Sequence, residues 1–557
     1  MKNMKYKNYD LYELPPIRDL KDMLMQKKKT QPDAKAFTFA KGKNVIARTY
    51  GELADDVCAL GTWLMAQGYQ GKHIAVIGEN SYEWITVFFA AAGSGNVAVP
   101  IDRELPAGEI AGLLDKADVQ AVFCSKSYRE PVEEAVDIIR NNIRNDIRND
   151  IQVLGMADIP DYIHDGAQML EAGNCSFMDY KADRKQLCCI MFTSGTSGKS
   201  KGVMLSHENI AEDINNSCRI FRLEGNTVAV LPFHHAFGLV VATFMVLNYG
   251  YTIHINRSLK TIQRDLKEVR PQTLFVVPLF VETFHKQIRM NVRKEGKEKL
   301  LRRMMWISDL LLKAGIDVRK RLFASVREAF GGDIEYIISG GAAIDTGYVK
   351  EFRSFGIEVL NGYGTTECSP GVALNRNFYH KDGTVGVMVP GTDIRISEQG
   401  EVLLKGPIVM QGYYNDPAST GEALVDGWYH TGDLGFVDED GFLTLTGRCK
   451  NLIILSNGEN ISPEELEADF RRYEEVREVL VYEQDGIITA EIYPEEEYLT
   501  GGNKGTYAQE HFDMICREVN KKRPLYKQVG KVCLRGSEFE KNTSRKILRN
   551  NRKEEAQ

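Results

Sequence analysis

Apolar residues gather along this chain in short runs separated by longer amphipathic stretches. His73-Ile-Ala-Val-Ile-Gly78 and Val97-Ala-Val-Pro100 read as buried strands, and Trp84 to Ala92 between them reads as a buried helix. Strand, helix and strand in that rhythm predict parallel α/β layering. Upstream, two β-rich runs between Ala36 and Thr49 flank Lys41-Gly-Lys-Asn44, a hairpin signal, and Tyr50 opens a helical pattern through Met65. Further strands are expected at Ala121–Cys124, Thr227–Leu231, Tyr251–Ile255, Thr273–Pro278, Ile334–Ser339 and Ile357–Leu360. Beyond Gly383 the texture changes to short strands and frequent turns, Asp393-Ile-Arg-Ile, Glu401-Val-Leu-Leu and Phe442-Leu-Thr-Leu, which predicts a small β-barrel. A new αβ unit follows Gly447-Arg-Cys-Lys450, with a helix at Pro463–Tyr473, strands at Val479–Tyr482 and Ile487–Ile492, and a basic tail. The expected fold class is α/β. Residues 1–449 form a large N-terminal domain of layered α/β sheets plus a small β-barrel, and residues 450–557 a small C-terminal α+β domain.

Two stretches stand apart from this rhythm. Ile139, Ile143 and Ile147 repeat every fourth residue, each followed by Arg-Asn, and read as a locally duplicated helix extension without assigned function. Residues 286–321 carry twelve Lys/Arg against four Asp/Glu, with Leu300, Met304, Ile307 and Leu311 at helical spacing. One reading is a solvated helix that packs this apolar stripe inward. The other is a patch that meets anionic lipid or the phosphates of a large cofactor.

A length of 557 residues exceeds one ordinary domain, and 43% apolar content supports large cores. A net charge of −7 argues against nucleic acid as the main partner. The ten cysteines include no C-x-x-C pair, which favours reduced thiols in a cytoplasm over disulfides or a zinc site. Met1 to Pro16 has no apolar core of a signal peptide, and no apolar run approaches the ~18 residues of a membrane span.

The densest chemistry follows the apolar run at Leu187, Ile190 and Met191. Thr193, Ser194, Gly195, Thr196, Ser197, Gly198, Lys199, Ser200 and Lys201 combine hydroxyls, glycines and lysines. Glycines let backbone N–H groups turn onto an anion, hydroxyls add donors, and the lysines add positive charge. This suits a loop around a polyphosphate. It is not a Walker loop, because Thr193 stands where that pattern needs its first glycine.

Thr-Ser-Gly-Thr-Ser-Gly-Lys-Ser-Lys-Gly resembles the phosphate-loop signature of the adenylate-forming superfamily, which includes acyl-CoA synthetases, luciferases and adenylation domains. Five further segments match that family's pattern in order, from Pro232 to the C-terminus. Pro232-Phe-His-His-Ala-Phe-Gly238 is similar to the histidine-aromatic segment, with His235 in the histidine position at the floor of an acyl pocket. Gly340-Gly341-Ala342 and Asn361-Gly362-Tyr363-Gly364-Thr365 resemble the adenine-binding segments, with Tyr363 offering a ring to stack on the base. By the same resemblance, Thr366 contacts the α-phosphate and Glu367 is the Mg²⁺ ligand. Trp428-Tyr-His-Thr-Gly-Asp433 and Gly447-Arg448 resemble the ribose-binding elements, through Asp433 and Arg448. Lys450 sits at the hinge position. Ser456-Asn-Gly-Glu-Asn-Ile-Ser462 resembles the loop that lines the thiol-acceptor channel, with Gly458 leaving room for a pantetheine arm and Asn460 and Ser462 shaping the turn and capping the next helix. Lys541-Asn-Thr-Ser-Arg-Lys546 resembles the terminal lysine segment, with Arg545 in place of the usual glycine and the catalytic Lys546 in register.

The resemblance implies an ATP-dependent acyl-CoA synthetase with Mg²⁺ as cofactor and CoA as co-substrate. It is closest to the bacterial long-chain fatty acyl-CoA synthetases, so the expected acid is a long-chain fatty acid. The expected catalytic residues are Lys546, Glu367, Thr366 and His235. Two alternatives are an adenylating enzyme that loads a carrier protein and a catalytically silent nucleotide-binding homologue. Chain length and oligomeric state are not legible, and peripheral membrane contact is expected only through the basic 286–321 stretch.

Overall fold

Seven strands form the central sheet, in the order Gly412–Tyr413, Lys201–Ser206, Leu187–Thr193, Val97–Pro100, His73–Ile77, Val119–Cys124 and Gln152–Gly155. The last five run parallel, and the first two pair antiparallel at one edge. Near-continuous apolar runs are what strands covered on both faces require. Ile74 and Val76 face the core shared with Trp84 and Phe88 of the buried helix Tyr82–Gly93. Ala75 and Ile77 point the other way, onto Ile110, Leu114 and Val132 of helices Ala107–Lys116 and Arg129–Asn142. This computed structural model describes residues 10–42, 44–142, 151–193, 200–256, 258–454, 460–495, 498, 506–521, 523–541 and 547–549. Ile143 and Ile147 of the repeat lie outside them, and Ile139 is buried near the end of its helix.

A second sheet takes Thr273–Val276, Tyr336–Ser339, Glu358–Gly364, Gly371–Leu374 and Val387–Met388, with its first three strands parallel. The hairpin Lys35–Lys41/Asn44–Thr49 extends a third sheet through Ile253–Ile255 and Thr227–Ala229. Helix starts follow the sequence signals. Thr49 and Glu52 cap reciprocally at Tyr50–Ala66, and Ser206 and Asn209 do the same at His207–Ile220. The turn-rich stretch forms a half-barrel sheet of Asp393–Ile396, Glu401–Lys405, Trp428–Val437 and Leu424–Val425, with Leu443–Arg448 also paired to the long strand.

From Ile453 onward the chain has its own hydrophobic cluster, built from Ile461, Leu466, Phe470, Val479, Ile492 and Phe512. It covers a three-stranded sheet, Val476–Gln484, Ile487–Pro494 and Lys531–Leu534, with helices Pro463–Phe470 and Thr506–Asn520. This unit meets the main body through side-chain ion pairs. Lys286 reaches Glu495 at 2.5 Å, Arg472 reaches Asp345 at 2.9 Å, and Arg293 approaches Glu474 at 3.8 Å.

The basic stretch is corrected in one respect. Helix Glu298–Lys313 buries Leu301 and Ser308, with Met304 and Met305 alongside, whereas Leu300 and Ile307 of the expected inward stripe are exposed. The helix carries apolar residues on both faces, so periodicity alone selects the wrong one. Among the described residues no helix is long and apolar enough to cross a membrane. All ten cysteines are unpaired.

Candidate active site

Thr193 and Lys201 stand directly across from each other where strands Leu187–Thr193 and Lys201–Ser206 pair, and so frame the expected phosphate loop. Ser194, Gly195, Thr196, Ser197, Gly198 and Lys199 lie outside the described residues. The Lys201 ammonium sits 4.7 Å above the ring of Tyr413, whose edge strand pairs with Lys201–Ser206.

The Tyr413 hydroxyl donates to Oε1 of Glu367 at 2.9 Å. Glu367 and Thr366 occupy the short turn Thr366–Cys368 that follows strand Glu358–Gly364. Burial, and then the Glu367 charge, push the Tyr413 phenol well above its ordinary range, so it stays a donor. The other Glu367 oxygen has no hydrogen bond among the described residues. One carboxylate oxygen left free beside the strand that follows the expected phosphate loop fits Mg²⁺, which takes few protein ligands and completes its shell with phosphate oxygens and water.

Asp433 is buried and held from two sides. Tyr363 donates to Oδ2 at 2.6 Å, and Arg448 donates from Nε to Oδ1 at 2.9 Å. The second contact is built into the half-barrel, because Asp433 and Arg448 are cross-strand partners. Tyr363 is thus tied to Asp433 through its hydroxyl, a link the sequence did not suggest. Each carboxylate oxygen accepts more than one hydrogen bond, so a sugar diol can add to this clasp without breaking it. Burial, and then the Glu367 charge, push the Tyr429 phenol well above its ordinary range as well, and Tyr429 stands four residues before Asp433 on the same strand.

The expected adenine segments lie at the C-terminal ends of two parallel strands. Gly340 and Gly341 follow Tyr336–Ser339, and Asn361 to Gly364 end Glu358–Gly364. Such strand ends are where ligands bind in open α/β sheets. Ser339 Oγ and Asn361 Oδ1 are buried there without hydrogen-bond partners among the described residues, and a polar ligand would satisfy them. Gly340 packs against the Phe237 ring, Gly341 adopts a left-handed φ of +84°, and Ala342 is exposed. Gly364 has a steric reason: a Cβ there would lie 1.9 Å from the Pro370 carbonyl oxygen. Thr365 follows, its N–H donating to that same oxygen at 3.1 Å. Gly362 packs against Leu374.

His235 stands in the turn before the helical segment Phe237–Met245, and its carbonyl accepts from Leu239 N–H at 2.9 Å. Its ring centroid lies 4.3 Å from that of His234, whose Nε2 is 3.5 Å from Asp102. Burial and the neighbouring His235 drop the His234 pKa to about 3, so His234 is neutral at physiological pH.

Lys450 is exposed in the turn Cys449–Asn451, just after the half-barrel's last strand. Gly458 lies outside the described residues, and Asn460 pairs through its backbone with Ile454. Ser462 precedes helix Pro463–Phe470 but does not cap it. Its hydroxyl donates to Glu464 at 2.9 Å, which corrects the capping expectation. Lys546 lies outside the described residues, but both ends of its segment are anchored. Lys541 and Ile547 bridge each other, Lys541 pairs with Glu478 and Glu538, and Arg549 grips both oxygens of buried Glu467 at 2.7 Å. Tyr413 escaped the sequence reading. It sits in turn-rich text, and only the fold reveals that its hydroxyl reaches Glu367.

The family described as AMP-binding enzyme matches residues 24–414. The long-chain-fatty-acid–CoA ligase FadD15 of Mycobacterium bovis is 28% identical over 456 residues, which span 78% of this chain and 74% of that one. The long-chain-fatty-acid–CoA ligase 1 of Cavia porcellus is 25% identical over 532 residues, 87% of this chain and 74% of its own. Among solved structures, an ATP-bound RpMatB–BxBclM chimera is 25% identical with a TM-score of 0.75, covering 96% of this chain and 98% of the chimera. A Mycobacterium tuberculosis fatty acyl CoA synthetase, 22% identical with a TM-score of 0.65 over 97% of this chain and 98% of its own, shares the fold.

Proposed function

Because this chain belongs to the AMP-binding enzyme family, we propose that it is an AMP-forming acyl-CoA synthetase that activates a long-chain fatty acid with ATP and transfers it to CoA. The acid–CoA ligase activity follows from the family together with the relatives' own activity; the long-chain acid is the finer part, supported by the names of those relatives. One observation carries the reading. The Asp433–Tyr363–Arg448 clasp and the Glu367–Tyr413 pair, drawn from distant parts of the chain, converge beside two orphaned polar atoms at the strand ends.

The chemistry must overcome repulsion, since a carboxylate approaches a polyphosphate. In the first step a carboxylate oxygen attacks the α-phosphorus of ATP and pyrophosphate leaves, giving an acyl-adenylate. Asp433 and Arg448 hold the ribose, Tyr363 and the Gly340–Ala342 turn hold the base, and the Thr193–Lys201 loop holds the phosphates. Fixing the nucleotide in this way removes part of the entropic cost of the attack. Mg²⁺, when bound at Glu367, neutralises charge on the phosphates. Lys546 stabilises the charge that builds on the transferring group. In the second step the CoA thiolate attacks the acyl carbonyl and AMP departs. Lys546 and the Gly458 loop both fall in the sequence of residues 450–557, and a turn of that unit about Lys450 presents each in its own step. The ten unpaired cysteines suit a reducing compartment such as the cytoplasm.

The test is AMP and pyrophosphate release from ATP and Mg²⁺ across acids of graded length, with and without CoA. Acid-dependent pyrophosphate release that becomes CoA-dependent AMP formation, strongest with long chains, supports the reading. Release confined to short or aryl acids would remove the fatty-acid part, and no release with any acid would remove the whole.

A further inference from the structure

The outer face of helix Glu298–Lys313 is built like a membrane-surface anchor. Leu301 and Ser308 face inward, so the opposite line of the helix points to solvent. At its centre stand Trp306, 66% exposed, and Leu310, 55% exposed, four residues apart and therefore side by side. Leu300 and Ile307 form one shoulder, and Ile316 continues the apolar line beyond the helix end. Single exposed apolar residues are ordinary, but a tryptophan inside a contiguous apolar strip is not.

Lys299, Arg302, Arg303 and Lys313 surround this strip, all exposed and all without an ion pair among the described residues. The helix carries two acids, Glu298 and Asp309, and Glu298 is engaged by Arg293. Most other cations of the 286–321 stretch are neutralised. Lys286 meets Glu495, Arg289 meets Glu351, Lys297 meets Glu295, Arg319 meets Asp317, and Lys320 meets Glu335. Unpaired positive charge is therefore concentrated around the exposed apolar strip, in a chain whose net charge is −7.

We propose that this face docks on an anionic lipid bilayer, with Trp306 and Leu310 entering the headgroup boundary and the four cations contacting lipid phosphates. Tryptophan favours that boundary because its ring is apolar while its N–H needs a polar partner. A second copy of the chain fits less well. A two-fold contact pairs the face with itself and so brings the four exposed cations of one copy up to the four of the other. The position also suits a substrate that dissolves in membranes. Helix Glu298–Lys313 packs on Pro278–Lys294, and Val277, just before that helix, lies 3.8 Å from where a Gly341 Cβ would be. The inference is independent of the ligase reading, because docking is measured without substrates.

The full chain is mixed with vesicles of phosphatidylcholine alone or with one-third phosphatidylglycerol, then sedimented, and Trp306 emission is followed in parallel. Binding should appear on the anionic vesicles with a blue shift that Trp306→Phe abolishes. Trp306→Ala combined with Leu310→Ala should weaken binding at least tenfold. Arg302→Gln with Arg303→Gln should do the same, at roughly fivefold per cation removed. All four positions are exposed, so thermal unfolding and pyrophosphate release from soluble acid should stay at wild-type values. No binding to anionic vesicles, or binding undiminished in both double variants, overturns the proposal. So does a concentration-dependent dimer that the Trp306→Ala/Leu310→Ala variant dissolves while vesicles are ignored.

Discussion

The phenolic hydroxyl of Tyr413 donates to Glu367 across 2.9 Å, while the ring of the same tyrosine lies under the ammonium of Lys201. One side chain thus sets the orientation of the expected metal carboxylate and touches a lysine that frames the expected phosphate loop. Tyr413→Phe keeps the ring and removes the donor. A hydrogen bond to a charged group contributes about 1.5–3 kcal/mol, so this variant should need about tenfold more Mg²⁺ for half-maximal acid-dependent ATP–pyrophosphate exchange. An unchanged Mg²⁺ curve would separate Glu367 from the metal.

Asp433→Asn keeps the shape of the clasp and removes its charge. The variant should fold, because Arg448 is half exposed and can turn to water. Its KM for ATP should rise at least about tenfold, with little change in KM for the acid. Equal effects on both substrates would argue against ribose recognition.

The two half-reactions should separate by mutation. Lys546→Ala should cripple pyrophosphate release and spare thioester formation from supplied acyl-adenylate. Lys450→Pro, at an exposed turn between the half-barrel and the C-terminal unit, should do the reverse. Loss of both steps in either variant would refute its assignment.

Arg549 and Glu467 give a prediction with a pH signature. Burial raises the Glu467 pKa in spite of Arg549 and Arg471. The folded state therefore binds its proton more readily than the unfolded chain does, and in that window stability falls as pH rises. Arg549→Ala removes the larger of two neutralising charges and should raise this pKa further. The variant should lose up to about 3 kcal/mol at neutral pH. The deficit should shrink as pH falls toward the range where Glu467 protonates, as urea unfolding at graded pH will show. A pH-independent deficit would mean that only packing was lost.

Most strands were legible because burial on both faces leaves near-continuous apolar text, as at His73–Ile77 and Thr273–Val276. The helix from Tyr50 was legible from its apolar pattern, and the structure adds the Thr49–Glu52 cap that starts it. The failures share a cause. Helix Glu298–Lys313 has apolar residues on both faces, so only the neighbouring Ile288 and Phe323 decide which one is covered. Ser462 is a good cap by type, but the Glu464 carboxylate two residues on competes for its hydroxyl. In the site, the sequence supplied residues that touch nucleotide by resemblance. It did not supply the partners that orient them, because the Tyr413–Glu367 and Tyr363–Asp433 contacts join segments 46 and 70 residues apart.

The ion pairs that tie the C-terminal unit to the main body have a kinetic consequence. Lys286, Arg293 and Arg472 are all more than half exposed, so their bonds to Glu495, Glu474 and Asp345 are individually weak and screened by salt. The proposed turn about Lys450 would release all three. Added electrolyte should therefore shorten the dwell time of the pose that holds them, which makes the rate of that turn sensitive to ionic strength.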